Sequence, residues 1–179
     1  MNKRVQECVK RIYIEKDYEY FKSRCREIPS YLDELERQIR IHSRAITVVN
    51  EIDSPAIELW IQFDGYRLND LSIEYRTVLR ISKVSDLFVF QHEFCVENKD
   101  PQRLDPELDG FRGWPYHFSQ YHLEENATTF LERFGLQKIL LNELDEVIVG
   151  LEMPAKTIFG SQMTVENALF RDLYEIALL

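Results

Sequence analysis

The sequence predicts an α+β fold, in which an antiparallel meander sheet of four to five strands is covered by N-terminal and C-terminal helices. Apolar residues recur at helical spacing up to residue 44, and their period then changes to two. The stretch 77–96 is the longest run rich in β-forming residues, and it contains a turn signal at 83–86. Strands joined by short turns usually pair, so this stretch is expected to be the central hairpin.

The 179 residues are enough for one core of ordinary size, so we expect a single domain spanning 1–179. Its expected parts are a helical segment at 1–44, the antiparallel sheet at 45–96, an acidic and aromatic loop at 97–122, and C-terminal helices at 123–179. No apolar run approaches the ~20 residues of a membrane-spanning helix, and the first residues contain no apolar secretory region. The expected location is the cytoplasm.

Helical spacing in the first segment predicts a helix or a bent helix pair at about 3–26. Pro29 interrupts the chain, and Ser30 can cap a second helix that has Asp33 three residues later. The buried stripe of this second helix is expected to consist of Leu32, Leu35 and Ile39. These helices are the expected cover over the sheet.

Two strands are predicted before the central hairpin. Residues 45–50 are a short β-branched run, and the alternation in 56–63 places Ile57, Leu59, Ile61 and Phe63 on one face. The pair Asp64 and Gly65 is expected to form a tight hairpin turn with positive φ angles. In the second strand of the central hairpin the expected buried face carries Phe88, Phe90, His92, Phe94 and Val96. The opposite face is expected to be partly open.

After the sheet, two Asp-Pro steps predict a surface loop at 97–113, because proline can neither donate to a sheet ladder nor continue a helix. A short helix is expected next, with Asn126 as its cap and Gly135 as its stop. Another amphipathic helix is predicted from the spacing of Leu136, Ile139, Leu140, Leu144 and Ile148. Thr164 is expected to open the last helix, whose inward-facing residues are Val165, Leu169, Leu173 and Ile176.

The net charge of −9 is unevenly distributed along the chain. Residues 1–44 contain 11 Lys and Arg against 8 Asp and Glu, whereas residues 45–179 contain 11 against 23. An acidic body repels phosphates and attracts basic proteins. We therefore expect a protein partner with a basic surface, no broad binding of duplex nucleic acid and no membrane association; the oligomeric state stays open.

The segment 109–122 combines five aromatic rings with two histidines. Because Trp, Tyr and Arg supply most anchors of protein interfaces, this segment and the acids before it are predicted to bind a partner. The predicted partner-binding residues are Asp105, Glu107, Asp109, Phe111, Arg112, Trp114 and Tyr116. A loop that folds back and caps the core with its rings explains the same composition.

A metal-independent ribonuclease is the alternative from the enzyme class. If His92 faces His117 or His122 across the fold, two imidazoles can act as general base and general acid, and Arg112 can pair with a phosphate. The nine residues at 114–122, WPYHFSQYH, are similar to the proline-histidine signature of small ribonuclease toxins from bacterial toxin-antitoxin pairs, with a different histidine pattern. A core histidine bonded to a carbonyl or a Tyr also explains His92, which lies between two phenylalanines of an apolar face.

No cofactor and no metal site are expected. His117 and His122 are five positions apart, which corresponds to a rotation of ~140° on a helix and to opposite faces of a strand. The three cysteines, Cys8, Cys25 and Cys95, contain no CxxC pair, as is usual for reduced thiols. Signatures of nucleotide-binding loops, serine hydrolases and zinc proteases are also missing.

The first functional hypothesis is therefore a non-catalytic, acidic protein-binding domain of the immunity or antitoxin kind, which masks a basic partner. The ribonuclease is the second hypothesis. A structural subunit of a larger assembly is the third.

Overall fold

A computed structural model describes residues 2–100, 102, 107–157 and 160–178, and its fold class is α+β, as the sequence predicts. The helices are α1 (Lys3–Val9), α2 (Tyr18–Arg26), α3 (Leu32–Arg40), α4 (Phe118–Arg133) and α5 (Val165–Leu169). A π-helical turn (Lys10–Ile14) follows α1, and 3₁₀ turns span Leu141–Asp145 and Ile176–Leu178. Within these ranges no helix is long and apolar enough to cross a bilayer.

The strands form one large and one small sheet. They are β1 (Ala45–Val49), β2 (Ala56–Gln62), β3 (Tyr66–Leu68), β4 (Leu71–Ser82), β5 (Leu87–Asn98), β6 (Glu107–Arg112), β7 (Gln137–Lys138), β8 (Val147–Thr157) and β9 (Gly160–Thr164). The main sheet has the antiparallel order β1-β2-β4-β5-β6, while β3 also pairs with β4 and β7 pairs in parallel with β5. The strands β8 and β9 pair with each other. The central hairpin, β4 and β5, is confirmed and extends beyond its expected ends.

The main sheet has a hydrophobic core on each face. On one face α3 and α4 cover a core that includes Phe88 and Phe90. On the other face α1, α2 and the C-terminal elements cover a core that includes Leu87 and Val89. The predicted alternation along β5 is thus confirmed, and of the expected buried face Phe88, Phe90 and His92 are buried whereas Phe94 and Val96 are half-buried. The second cover ends near Val89, and from Gln91 onward the side chains of that face are only partly buried. We call this uncovered part the open face.

The N-terminal helices form where the sequence predicts them, but they divide between the two faces of the sheet. The bend between α1 and α2 lies at Lys16, which has a φ of 56°. In α3 the predicted stripe of Leu32, Leu35 and Ile39 is buried. Ser30 is not its cap, because Tyr31 occupies the N-cap position without a side-chain hydrogen bond. The carbonyl of Pro29 accepts from the first helical N–H instead.

The expected hairpin turn at Asp64 and Gly65 is wrong. The strands β2 and β3 both pair with β4, and the chain reverses only after β3, at Asn69, which has a φ of 50°. Gly65 does not adopt a positive φ. It is required there because a Cβ would lie 2.2 Å from the carbonyl oxygen of Ile73. The glycine thus permits a close approach of two strands, and it does not reverse the chain.

The expected loop at 97–122 is largely regular structure. The strand β5 continues to Asn98, β6 pairs back onto it, and α4 begins at Phe118. The prolines of the two Asp-Pro steps, Pro101 and Pro106, lie outside the described residues. Asn126 lies inside α4 and is not its cap, since His117 occupies that position. The predicted stop at Gly135 is confirmed by its φ of 82° directly after the helix.

The amphipathic helix predicted over 136–148 is wrong. The first half of β5 has a free edge, and the chain satisfies it: the N–H of Gln137 donates to the carbonyl of Asp86, and the N–H of Ile139 to that of Phe88. A 3₁₀ turn follows, and β8 begins at Val147. The unpaired backbone of a buried strand edge thus outweighs the helical spacing of the apolar residues.

Thr164 opens α5 as expected, with its Oγ1 accepting from the N–H of Asn167 at 3.4 Å. The helix ends at Leu169, however, and Leu173 is exposed. The carboxylate of Asp172 accepts from the N–H groups of Ile176 and Ala177 at 2.9 and 2.8 Å. This side chain competes with helical backbone bonding and starts a separate turn, in which Ile176 is buried.

Candidate functional site

The open face carries a group of four carboxylates where β4, β5 and β6 lie side by side. Cys95 of β5 lies opposite Glu74 of β4 and opposite Asp109 of β6. In a neighbouring row Glu97 lies directly opposite Glu107. We call Glu74, Glu97, Glu107 and Asp109 the acidic face. Their grouping results from strand register, because the four residues are far apart in the sequence.

The acidic face concentrates negative charge around Cys95. Burial raises the pKa of the Cys95 thiol, and the negative charges of Glu107, Asp109, Glu74 and Glu97 raise it further. Like charges directly opposite each other on neighbouring strands destabilise a sheet. Lys99 lies 3.5 Å from Glu97, but this ion pair is exposed and contributes little. The acidic face therefore attracts a positively charged group.

The carboxylates of the acidic face do not converge on a point. Across the described ranges no group of three or more His, Cys, Asp or Glu side chains is arranged to hold a metal ion. Calcium and magnesium need oxygen ligands at about 2.0 to 2.6 Å, whereas side chains on paired strands are about 5 Å apart at their Cβ atoms. A negative charge spread in this way matches an extended basic surface better than it matches a single ion.

Two large exposed rings lie on β6 and in the turn that follows it. Phe111 is 67% exposed and lies opposite Glu93, so it shares the face of Asp109, two residues before it. Trp114 follows in the turn after β6, is 65% exposed, and its ring centroid lies 5.6 Å from the guanidinium of Arg112. Exposed apolar side chains grouped in one place mark contact surfaces more often than isolated ones do. We call the acidic face together with Phe111 and Trp114 the β6 surface.

Arg112 and Tyr116 have internal roles behind Trp114. The guanidinium of Arg112 donates to the carbonyl oxygens of Trp114 at 2.9 Å and Pro115 at 2.8 Å, and it lies 3.7 Å from the ring centroid of Tyr116. The Tyr116 ring packs against Phe94 with centroids 4.7 Å apart. The guanidinium of Arg112 thus holds the turn together, and this contrasts with the phosphate or partner contact that the sequence suggests.

Gln120 fixes the same turn to the sheet. It is fully buried, and its side-chain oxygen accepts from the N–H groups of Tyr116 and His117 at 2.9 and 3.1 Å. Its amide donates to the carbonyls of Arg76 and Glu93 at 2.9 and 3.1 Å. The Gln120 side chain thus forms all four of these hydrogen bonds within the fold. The exposed Trp114 is therefore presented on a fixed support, which reduces the entropy lost on binding.

A groove of about 740 Å³ adjoins β6 on the sheet surface. Asp109 and Phe111 belong to one wall, while Arg44 and Arg67 belong to the opposite side. Gly110, which lies between Asp109 and Phe111 in the sequence, leaves room for the Phe94 ring, because a Cβ would lie 2.8 Å from it. The sign of the charge thus changes across the groove. A basic partner matches the β6 wall and not the groove as a whole.

His92 belongs to a buried hydrogen-bond network under α4. Its Nδ1 lies 2.9 Å from the Thr77 hydroxyl and its Nε2 lies 2.7 Å from a carboxylate oxygen of Glu124. Lys138 binds the other oxygen of the same carboxylate. The His92 ring stacks on Phe90 with centroids 6.0 Å apart and has no exposed surface. His92 is thus a core histidine whose partners are a hydroxyl and a carboxylate.

The charge of Glu124 fixes the roles of the imidazole nitrogens. Burial opposes ionisation of Glu124, but hydrogen bonds from His92 and Lys138 outweigh it, so the pKa of Glu124 is lowered. With the carboxylate ionised, the Nε2–H of His92 donates to it, and Nδ1 accepts from the Thr77 hydroxyl. Both nitrogens are then used inside the core. Neither faces a position that a substrate can occupy.

The other two histidines of the ribonuclease alternative lie at the start of α4. His117 stacks on Tyr75 with centroids 4.8 Å apart, and its Nδ1 accepts from the N–H of Ser119 at 3.2 Å. His122 is exposed beside Tyr121, with ring centroids 5.4 Å apart. The structure does not bring His92 to an open cleft with either of them. The enzyme alternative stays a prediction, which an activity assay must test.

Cys8, Cys25 and Lys83, which lie outside these networks, also have structural roles. Burial raises the pKa values of Cys8 and Cys25 to about 12, whereas a reactive cysteine needs a lowered pKa. Burial lowers the pKa of Lys83. Its ammonium donates to the carbonyls of Cys25 and Glu51 and to the side chain of Asn50, so it ties the turn of the central hairpin to its neighbours.

Comparisons with known protein families, with curated proteins and with solved structures find no match. Function is therefore inferred from the residues of this chain alone. Among the predicted partner-binding residues, the β6 surface brings together Glu107, Asp109, Phe111 and Trp114. Arg112 and Tyr116 support it from behind, and Asp105 lies outside the described residues. The sequence interpretation did not include Glu74 and Glu97, or the positioning role of Gln120.

Replacing Glu124 by glutamine is expected to lower the free energy of unfolding at neutral pH by about 1.5 to 3 kcal/mol, because hydrogen bonds to an ionised group are lost. The folded-state pKa of Glu124 lies below the reference value of 4.5, so its stabilising contribution is complete above pH 4.5 and is lost as the pH falls through the folded pKa. The difference between wild type and variant should therefore shrink in acid.

Urea unfolding at neutral pH and at about pH 3 measures this difference. Glu132→Gln, at an exposed position near the end of the same helix, is the matched control and should change stability little at either pH. A Glu124→Gln effect that is equally large in acid would contradict the assignment of an ionised Glu124.

Proposed function

We propose that this chain is a non-catalytic protein-binding domain that captures a partner with a basic surface through the β6 surface. One observation carries the proposal: Glu97 lies opposite Glu107, beside Glu74 and Asp109, on a sheet face that no other element covers within the described residues. Carboxylates grouped on neighbouring strands, together with the exposed rings of Phe111 and Trp114, match a basic and partly apolar partner.

The two kinds of side chain have different tasks in such a complex. The carboxylates of the acidic face attract a basic partner before contact, and this mainly raises the association rate. The rings of Phe111 and Trp114 act only after contact, when they lose their exposed surface, and this mainly slows dissociation. Immunity proteins and antitoxins that mask a basic partner need both tasks, and we infer a role of this kind here.

Replacing Glu107 by Gln and Asp109 by Asn is expected to slow association with a basic partner about tenfold or more at low salt. The slowing should fade as salt rises, because the Debye length falls from ~10 Å at 0.1 M to ~3 Å at 1 M. Folding should survive, since exposed charges contribute at most ~1 kcal/mol each and the repulsion from Glu97 is reduced. Surface plasmon resonance across a salt series measures both rate constants.

The matched control for this variant is Glu19→Gln combined with Glu132→Gln. It changes the net charge by the same amount, at exposed carboxylates on α2 and near the end of α4. This control should associate at close to the parent rate. If the Glu107 and Asp109 variant also associates as fast as the parent at low salt, the acidic face does not steer a partner.

Affinity capture from the native host tests the proposed function as a whole. The parent chain and the Glu19 and Glu132 control should retain a basic protein that is lost both from the Glu107 and Asp109 variant and from Trp114→Ala, as quantified by mass spectrometry. The proposal would be overturned if no captured protein showed this pattern of retention. It would also be overturned if the purified chain cleaved RNA and His117→Ala abolished the cleavage. The second outcome would favour the ribonuclease.

A further inference from the structure

The strand β6 leaves one edge of the main sheet without a paired strand in the described part of the chain. Natural proteins usually protect such edges with charged side chains, especially lysine, with proline or with a bulge, because the unpaired N–H and C=O groups can pair with another chain. The six residues of β6, ELDGFR, contain neither lysine nor proline, and its pairing with β5 is regular. Its two acidic residues, Glu107 and Asp109, disfavour an acidic strand at this edge and not a basic one. Leu108 and Phe111 are exposed on its two faces. This edge is therefore open to a further strand.

We propose that the basic partner binds by adding an extended segment to the free edge of β6 as a further strand of the main sheet. This inference rests on the proposed function and states how the partner is held. In such complexes the backbone hydrogen bonds supply affinity, and the alternating side chains supply specificity. The edge of β6 offers the backbone hydrogen bonds, and the acidic face next to it offers the specificity for basic side chains.

The geometry of a sheet predicts the sequence pattern of the added segment. Neighbouring strands are about 4.8 Å apart, and successive side chains point to opposite faces. Every second residue of the segment thus lies on the face of Glu107, Asp109 and Phe111, where Lys or Arg can reach the carboxylates. The residues between them lie on the face of the exposed Leu108, where apolar side chains are favoured. The expected segment alternates basic and apolar residues.

A second copy of this chain fits the same edge less well. Two antiparallel copies of β6 in one sheet are related by a two-fold axis perpendicular to the sheet, so their acidic faces lie on the same side. In the register centred on Asp109, the two Asp109 side chains lie directly opposite each other. Like charges in that position destabilise the pairing, and each chain has a net charge of −9. Charge therefore favours a basic segment over self-pairing.

Two synthetic peptides with the same charge test the inference. The first has about eight residues that alternate Lys and Val, a length typical of a strand. The second has the same sequence with every backbone N–H methylated, so it retains the charges and cannot donate backbone hydrogen bonds. Isothermal titration calorimetry should show binding of the first peptide and at least tenfold weaker binding of the second. Hydrogen exchange should show that the first peptide slows exchange in β6.

The outcomes separate this inference from the proposed function. If both peptides bind equally to the parent and both bind less to the Glu107 and Asp109 amide variant, charge attraction acts without strand addition, and only the inference fails. If neither peptide binds, or if both bind the amide variant as well as the parent, the proposed function fails too. Protection of β6 in a chain that sediments as a dimer without peptide would assign the edge to a second copy and overturn the inference.

Discussion

Replacing Phe90 by alanine is expected to lower the free energy of unfolding by about 3 to 5 kcal/mol, the range typical of a large ring removed from a core. Phe90 is 1% exposed and lies in the core between the main sheet and the α3 and α4 helices. Its ring meets Phe88 edge-on at 5.8 Å and stacks on His92 at 6.0 Å. The substitution therefore leaves a cavity and also removes one wall of the His92 network.

Urea unfolding measures the effect, with Phe118→Ala as the matched control. Phe118 is 79% exposed at the first position of α4, so its removal should change stability by no more than about 0.5 kcal/mol. A midpoint that hardly moves in Phe90→Ala would show that this face of the sheet is not the packed one.

Replacing Trp114 by alanine is expected to weaken binding of the basic partner by about 2 to 4 kcal/mol, the range of an interface hot spot. The loss should appear as faster dissociation with little dependence on salt, because a ring acts by burial and not at a distance. Stability should hardly change. The ring is 65% exposed, and the turn that carries it is held through backbone groups by Arg112 and through the buried Gln120.

Ile28→Ala is the matched control, since Ile28 is an exposed apolar residue between α2 and α3, outside the β6 surface. It should leave both rate constants unchanged. Equal dissociation rates for Trp114→Ala and the parent would remove the ring from the proposed interface and would favour a purely electrostatic encounter.

The part of the fold that local sequence determines could be predicted. The side chains of β2 and β5 alternate between the two faces of the sheet, and a turn joins β4 to β5, as expected. Both features depend on residues that are neighbours in the sequence. The helix predicted over 136–148 fails for the opposite reason. There the backbone forms hydrogen bonds to the free edge of β5 near Phe88, and the need for these bonds is visible only in the folded sheet. A local signal for β8 was present in the β-branched residues Val147, Ile148 and Val149.

The candidate site could be predicted only in part. The exposed acids and rings of β6 and its following turn are adjacent in the sequence, so composition alone points to them. The turn at 83–86 also fixes the register of β4 against β5, so the position of Glu74 opposite Cys95 could have been derived by counting. The register of β6 depends on the connection between Asn98 and Glu107, whose length does not determine a pairing. The alignment of Glu97 with Glu107 therefore required the structure.

Hydrogen exchange of the chain with and without its purified basic partner tests the central claim most directly. The partner is the protein whose capture depends on Glu107, Asp109 and Trp114. Binding is expected to slow exchange in 107–114 and in the ends of β4 and β5 that carry Glu74 and Glu97. Slowed exchange confined to the groove between α3 and α4, or to the N-terminal helices, would contradict the claim that the β6 surface holds the partner.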